Sequence, residues 1–110
     1  MKNEISFSEM KALYENIRAR PGMYYAPENF DNMRTYINGT MAMWPKGLVN
    51  EFHDWLQGHL QVKSPRFATY LITDVYEGLL RSAYKIPRKQ TKADFIFEQF
   101  FCFLDEKISS

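Results

Sequence analysis

The sequence predicts an all-α fold, one domain of about five main helices over residues 1–110. Three observations lead there. Five segments repeat apolar residues at i, i+3, i+4 and i+7, the spacing of one helix face. Prolines and glycines fall between those segments, at Pro21-Gly22, Pro45-Lys46-Gly47, Ser64-Pro65 and Pro87. Several segments also open on a side chain that can cap free amides.

The first helix is expected over residues 6–20. Ser6 and Glu9 make a Ser-x-x-Glu capping box. Met10, Leu13, Tyr14 and Ile17 form its apolar face, and Pro21-Gly22 ends it. A second helix starts at Asn29 or Asp31, carries Phe30, Met33, Ile37 and Met41, and stops at Pro45. Gly39 lies inside it, where close packing or a kink would account for a glycine. The third runs over residues 48–59, with Leu48, Phe52, Trp55 and Leu56 inward and Asn50, Glu51, Asp54 and Gln57 outward. The fourth is expected to use Ser64 as N-cap and Pro65 as its first residue. Leu71, Val75, Leu79 and Ser82 centre its buried face; Arg66, Thr73, Glu77 and Arg81 line the other side, with Glu77 and Arg81 paired. The last helix begins at Thr91 and runs to about residue 106. Ile96, Phe97, Phe100, Phe103 and Leu104 make its apolar face. Tyr24-Tyr25 and Gln61-Val62-Lys63 are the only strand-like stretches. The expected core is Leu13, Ile17, Phe52, Trp55, Leu71, Val75, Leu79, Phe97, Phe100 and Leu104.

Composition excludes several classes. At 45% hydrophobic, with 9 Phe, 7 Tyr and 2 Trp, the chain is too apolar for disorder and aromatic enough to spare rings for a contact surface. A single cysteine, Cys102, cannot form an internal bridge. Met1-Lys2-Asn3-Glu4-Ile5-Ser6 lacks the apolar run of a signal peptide, and no stretch approaches a membrane helix. The cytosol is the expected compartment. The net charge of +1 hides an asymmetry: residues 63–92 hold seven basic and two acidic residues, the remainder seven basic and eleven acidic.

Catalytic chemistry finds little support. His53 and His59 fall on opposite sides of a helix, so they cannot share a metal there. Cys102 sits among acidic neighbours that raise a thiol pKa. No phosphate-binding glycine loop occurs. No cofactor and no metal are expected. The basic run Lys85, Arg88, Lys89 and Lys92 is a possible phosphate contact, but no recognition-helix motif accompanies it.

Arg20-Pro21-Gly22-Met23-Tyr24 resembles the Arg-Pro-x-Met-Tyr-Leu-Gly signature of a group of small helical bacterial proteins. Phe52-x-x-Trp55-Leu56 and Phe97-x-x-Phe100-Phe101-x-x-Leu104-Asp105-Glu106 are similar to that group's later blocks. Tyr25-Ala26 stands where the group has Leu-Gly, which implies a different turn. The group looks like immunity proteins, including those paired with contact-dependent growth inhibition toxins. The resemblance implies a cytosolic binder that occludes a cognate toxin, commonly a nuclease, and it transfers no catalytic residues.

Such a binder needs carboxylates and exposed aromatics on one surface. Asp94, Glu98 and Asp105 fall within about 40° of one another on the outer side of the last helix, with Phe101 at their edge. Glu51 with Asp54 is the second candidate, and Tyr24-Tyr25 the third. The simpler account is that these carboxylates solvate a helix and Phe101 tucks under a neighbour. The rival function is a nucleic-acid-binding or regulatory domain using segment 85–92. A small enzyme whose residues gather only by folding ranks third.

Overall fold

Burial decides which of the periodic segments become helices and where each ends. The computed structural model describes residues 5–25, 29–82, 84–86 and 89–110. These form five α-helices: α1 (Phe7–Ala19), α2 (Phe30–Thr40), α3 (Leu48–His59), α4 (Ala68–Tyr76) and α5 (Lys92–Ser109). Short 3-10 turns at Pro21–Met23 and Met41–Met43 follow α1 and α2. The fold is all-α, with no strand among the described residues. The four N-terminal groups of an isolated helix need partners. Ser6 and Glu9 satisfy two amides at the start of α1 as a complete capping box, and Asn29 and Thr91 each accept from one amide of α2 and α5.

α5 is the hub, with α1 along one side and α4 and α3 against others. At its centre Trp44 packs among Phe52 (5.4 Å between centroids), Phe100 (5.8 Å) and Phe103 (6.2 Å). Inside this apolar cluster one polar chain is fully directed. Thr40 Oγ1 donates to the Ile37 carbonyl at 2.6 Å, so it must accept from Tyr14 Oη at 2.7 Å. Tyr14 Oη in turn accepts from Trp44 Nε1 at 3.0 Å. Buried polar groups are tolerated when paired in this way. Two groups break this pattern among the described residues: the fully buried side-chain amide of Gln99 and the buried Nε2 of His59 find no partner.

The fourth helix departs from its expected form. Ser64 does not cap it; Ser64 lies four residues before Ala68, its N–H donating to Gln57 Oε1 and its carbonyl accepting from His53 Nε2. The helix ends at Tyr76, where Gly78 adopts φ 73°. Leu79 therefore leaves the core and is 68% exposed, and Ser82 lies in the following loop. Thr73, expected outward, is buried, as is every α4 residue from Ala68 to Val75 except the half-buried Tyr70. Its threonines are both paired, Thr73 Oγ1 donating within the helix to the Thr69 carbonyl and Thr69 Oγ1 donating across to Asn38 Oδ1 on α2. Glu77 pairs with Lys92 at 3.2 Å rather than with Arg81. Lys92 also lies over Phe30, Arg34 over Phe30 and Tyr70, and Arg66 over Tyr70. That ladder binds α2, α4 and α5 together, and each of its cations has a carboxylate: Asp31 for Arg34, Asp74 for Arg66, Glu77 for Lys92.

Three smaller corrections follow. Leu13 and Trp55 pack against the core but are only partly buried. Gln61-Val62-Lys63 is no strand; Gln61 at φ 54° turns the chain, and Val62 N–H donates to the Gln57 carbonyl. Gly39 meets nothing within 4 Å where a Cβ would stand, so close packing does not explain it.

Candidate partner-binding surface

The acidic stripe of α5 lies along α1 and stays partly open to solvent, with 40% of the Asp94 and 52% of the Asp105 side chain exposed. Single-helix arithmetic places Asp94, Glu98 and Asp105 opposite the apolar face, and α1 then covers part of that side. Arg18 Nε lies 3.3 Å from Asp94 Oδ1, and Lys11 Nζ lies 2.7 Å from Asp105 Oδ1. The bond to Asp105 raises the Lys11 pKa. Phe101, expected as an exposed anchor, is half-buried beneath the Arg18 guanidinium, 5.7 Å from its ring centroid, and stacks on Phe97. Glu15 and Glu98 supply the other carboxylates of this shallow groove.

Cys102 borders the groove, its Sγ 4.0 Å from Glu98 Oε1. Burial pushes the thiol pKa up, and Glu98, Asp105 and Glu106 add to the effect. A thiol held protonated is a poor nucleophile.

The second acidic pair, Glu51 and Asp54, lies on α3 and opens on a cleft shared with the end of α5. Trp55, Phe103, Glu106 and Lys107 line the same cleft. Trp55 Nε1 donates to Glu106 Oε2 at 3.0 Å, and Lys107 pairs with Glu51. Asp54 is more exposed than Glu51, with 83% of its side chain in solvent against 49%. Its nearest basic atom is His53 Nδ1 at 4.0 Å. His53 Nε2 donates to the Ser64 carbonyl, so in the neutral ring Nδ1 carries no proton and accepts from Gln57 Nε2.

The third candidate, Tyr24-Tyr25, is half-buried against α2. Both rings pack on Tyr36, at 5.6 and 6.2 Å, and burial raises the Tyr25 pKa. Met23, the preceding residue, is exposed, as is Met43 after α2, which joins Tyr36 and Gly39 in a separate apolar recess.

The structure thus separates the candidates onto three surfaces. Glu51 and Asp54 come together with Trp55; Asp94, Glu98, Phe101 and Asp105 come together with α1; Tyr24 and Tyr25 stand apart. Lys11 and Lys107 have no role in the sequence reading, and Glu106 enters it only within the block that carries the family resemblance. The one local signal for the α3–α5 cleft is Trp55 beside Asp54, since an indole N–H near the surface seeks an acceptor. In the basic segment, Pro87 and Arg88 lie outside the described residues, and Lys92 is engaged by Glu77 and Phe30. Among the described residues no three His, Cys, Asp or Glu side chains stand close enough to hold a metal. No helix among them is long and apolar enough to cross a membrane. Comparison of the chain with protein-family models, with curated proteins and with solved structures gives no match.

Proposed function

We propose that this chain is an immunity protein: a cytoplasmic binder, without catalysis of its own, that neutralises a cognate bacterial toxin by occluding its active site. The toxin domain is read as a nuclease. The observation that carries the reading is the α3–α5 cleft, where Glu51, Asp54 and Glu106 surround the partly exposed indole of Trp55. A nuclease lines its substrate groove with lysine and arginine, and carboxylates placed there substitute for phosphate charge. An amphipathic aromatic beside them supplies the desolvated anchor that protein interfaces use. The Arg-Pro-Gly-Met-Tyr resemblance at residues 20–24 points the same way. Within segment 85–92, Lys92 is already matched to Glu77, which leaves the polyanion reading one cation fewer.

Co-expression with the toxin domain encoded beside its gene should restore growth, and an equimolar amount of purified protein should abolish the toxin's activity. Well-expressed protein that leaves the cells unprotected overturns the reading. A salt-sensitive affinity for RNA or DNA in place of toxin binding would favour segment 85–92 instead.

A further inference from the structure

The α3–α5 cleft already holds a cation of the chain's own. Lys107 reaches from α5 to Glu51 on α3, and its Nζ lies 5.6 Å from the Phe103 ring centroid. Phe103 and Trp55 give the cleft aromatic walls. Glu51, Asp54 and Glu106 give it three carboxylates against one ammonium, so a negative balance remains with Lys107 in place. The bond from Trp55 Nε1 orients the Glu106 carboxylate. Aromatic faces attract cations, and ion pairs strengthen where apolar walls lower the local dielectric. Lys107 lies in the last turn of α5, two residues before Ser109, on a long flexible stem, so it can leave without disturbing the core.

We propose that this cleft receives a basic side chain, arginine or lysine, projecting from a partner protein, and that Lys107 is the resident cation which that side chain displaces. The occupant follows from charge complementarity: the walls suit an alkyl stem and the rim suits its charged head. The arriving side chain meets Glu51 and the exposed Asp54, while Lys107 swings into solvent. Displacement also limits affinity, because the incoming cation competes with one that is covalently tethered. The inference deepens the immunity reading by stating what the partner presents, and it rests on that reading only for the partner's identity.

The test needs no toxin. The chain has two tryptophans, so a nitrogen-15 spectrum carries two indole N–H signals. Trp55 reports on the cleft, and Trp44, buried and bonded to Tyr14, serves as an internal control. Nα-acetyl-arginine methylamide and its lysine counterpart are titrated, with the citrulline compound as neutral isostere. Either cationic probe should shift the Trp55 signal saturably, in the millimolar range of a single side-chain contact. Citrulline should not, and Trp44 should stay still. Lys107→Met should tighten probe binding several-fold, and Asp54→Asn or Glu51→Gln should weaken it several-fold. Asp54 is exposed enough that its variant will fold even if another does not. No response to either cation, equal response to citrulline, or weaker binding in Lys107→Met overturns the proposal. A Trp55 signal that moves with protein concentration alone would make a second copy the occupant and overturn it too. Probe binding by a protein that fails to protect cells overturns the immunity reading and leaves the cleft standing.

Discussion

Tyr14 shows how one side chain links packing to pH. Its hydroxyl is buried, accepts from Trp44 and donates to Thr40, whose own proton is committed to Ile37. Burial dominates and pushes the phenol up to about 12 from 10.0, although the bonds with Thr40 and Trp44 pull the other way. The folded state therefore keeps a proton that the unfolded chain releases first. This contribution is fully present below pH 10 and is lost as the pH rises towards about 12, a span worth roughly 2–3 kcal/mol. Tyr14→Phe should flatten that alkaline loss in denaturant titrations across the window. At neutral pH the same variant should cost about 1–3 kcal/mol, because it strands the Trp44 N–H. An alkaline slope identical to wild type would show that the phenol is not sealed from solvent.

At the scale of elements, α3 and α4 end by the same device with different residues. Leu79 N–H donates to the Asp74 carbonyl and Gly78 N–H to that of Val75, the two bonds of a Schellman cap with Gly78 at the left-handed position. After α3 the six-to-one bond runs from Val62 to Gln57, and Gln61 takes the left-handed position at φ 54°. A glycine adopts that conformation freely, whereas a residue with a Cβ is strained there. Gly78→Ala should thus destabilise by about 1 kcal/mol, and Gln61→Gly should stabilise by up to about 1 kcal/mol. Thermal melts of the two variants check the signs. A stabilised Gly78→Ala would mean that α4 continues through that residue as a helix, where alanine is preferred.

Over the whole molecule, the starts of α1, α2, α3 and α5 were legible because their signals are local: Ser6 with Glu9, Asn29, Thr91, and the apolar spacing of residues 48–59; two ends were not, since α2 stops at Thr40 before Pro45 is reached and α5 runs on to Ser109. α4 was misread because Ser64-Pro65 imitates a helix start while Ser64 serves the α3 side, and because Gly78 was passed over as a stop. Outward carboxylates were legible on α3 and α5 by rotation, but their partners were not, since a single helix does not reveal that α1 lies beside α5. That difference sorts the acidic residues. Asp94 and Asp105 are already paired to Arg18 and Lys11, Glu51 to Lys107, while Asp54 extends into solvent.

Charge reversal then separates stability from binding. Asp54→Lys should leave stability within about 0.5 kcal/mol of wild type, the usual bound for an exposed site without special contacts. Asp105→Lys sets a lysine beside Lys11, so it should cost up to about 1 kcal/mol, recoverable in the double variant with Lys11→Glu. On a toxin complex, Asp54→Lys should act mainly by faster dissociation if Asp54 is buried at the interface, and mainly by slower association if it lies at the rim. Glu98→Lys probes the α1–α5 groove in the same way. If single reversals at Glu51, Asp54, Asp94, Glu98 and Asp105 all kept wild-type affinity, both acidic surfaces would be excluded. Binding would then be sought at Tyr24 and Tyr25 on Tyr36, where apolar contact rather than charge would have to supply the affinity. That affinity would show little dependence on salt.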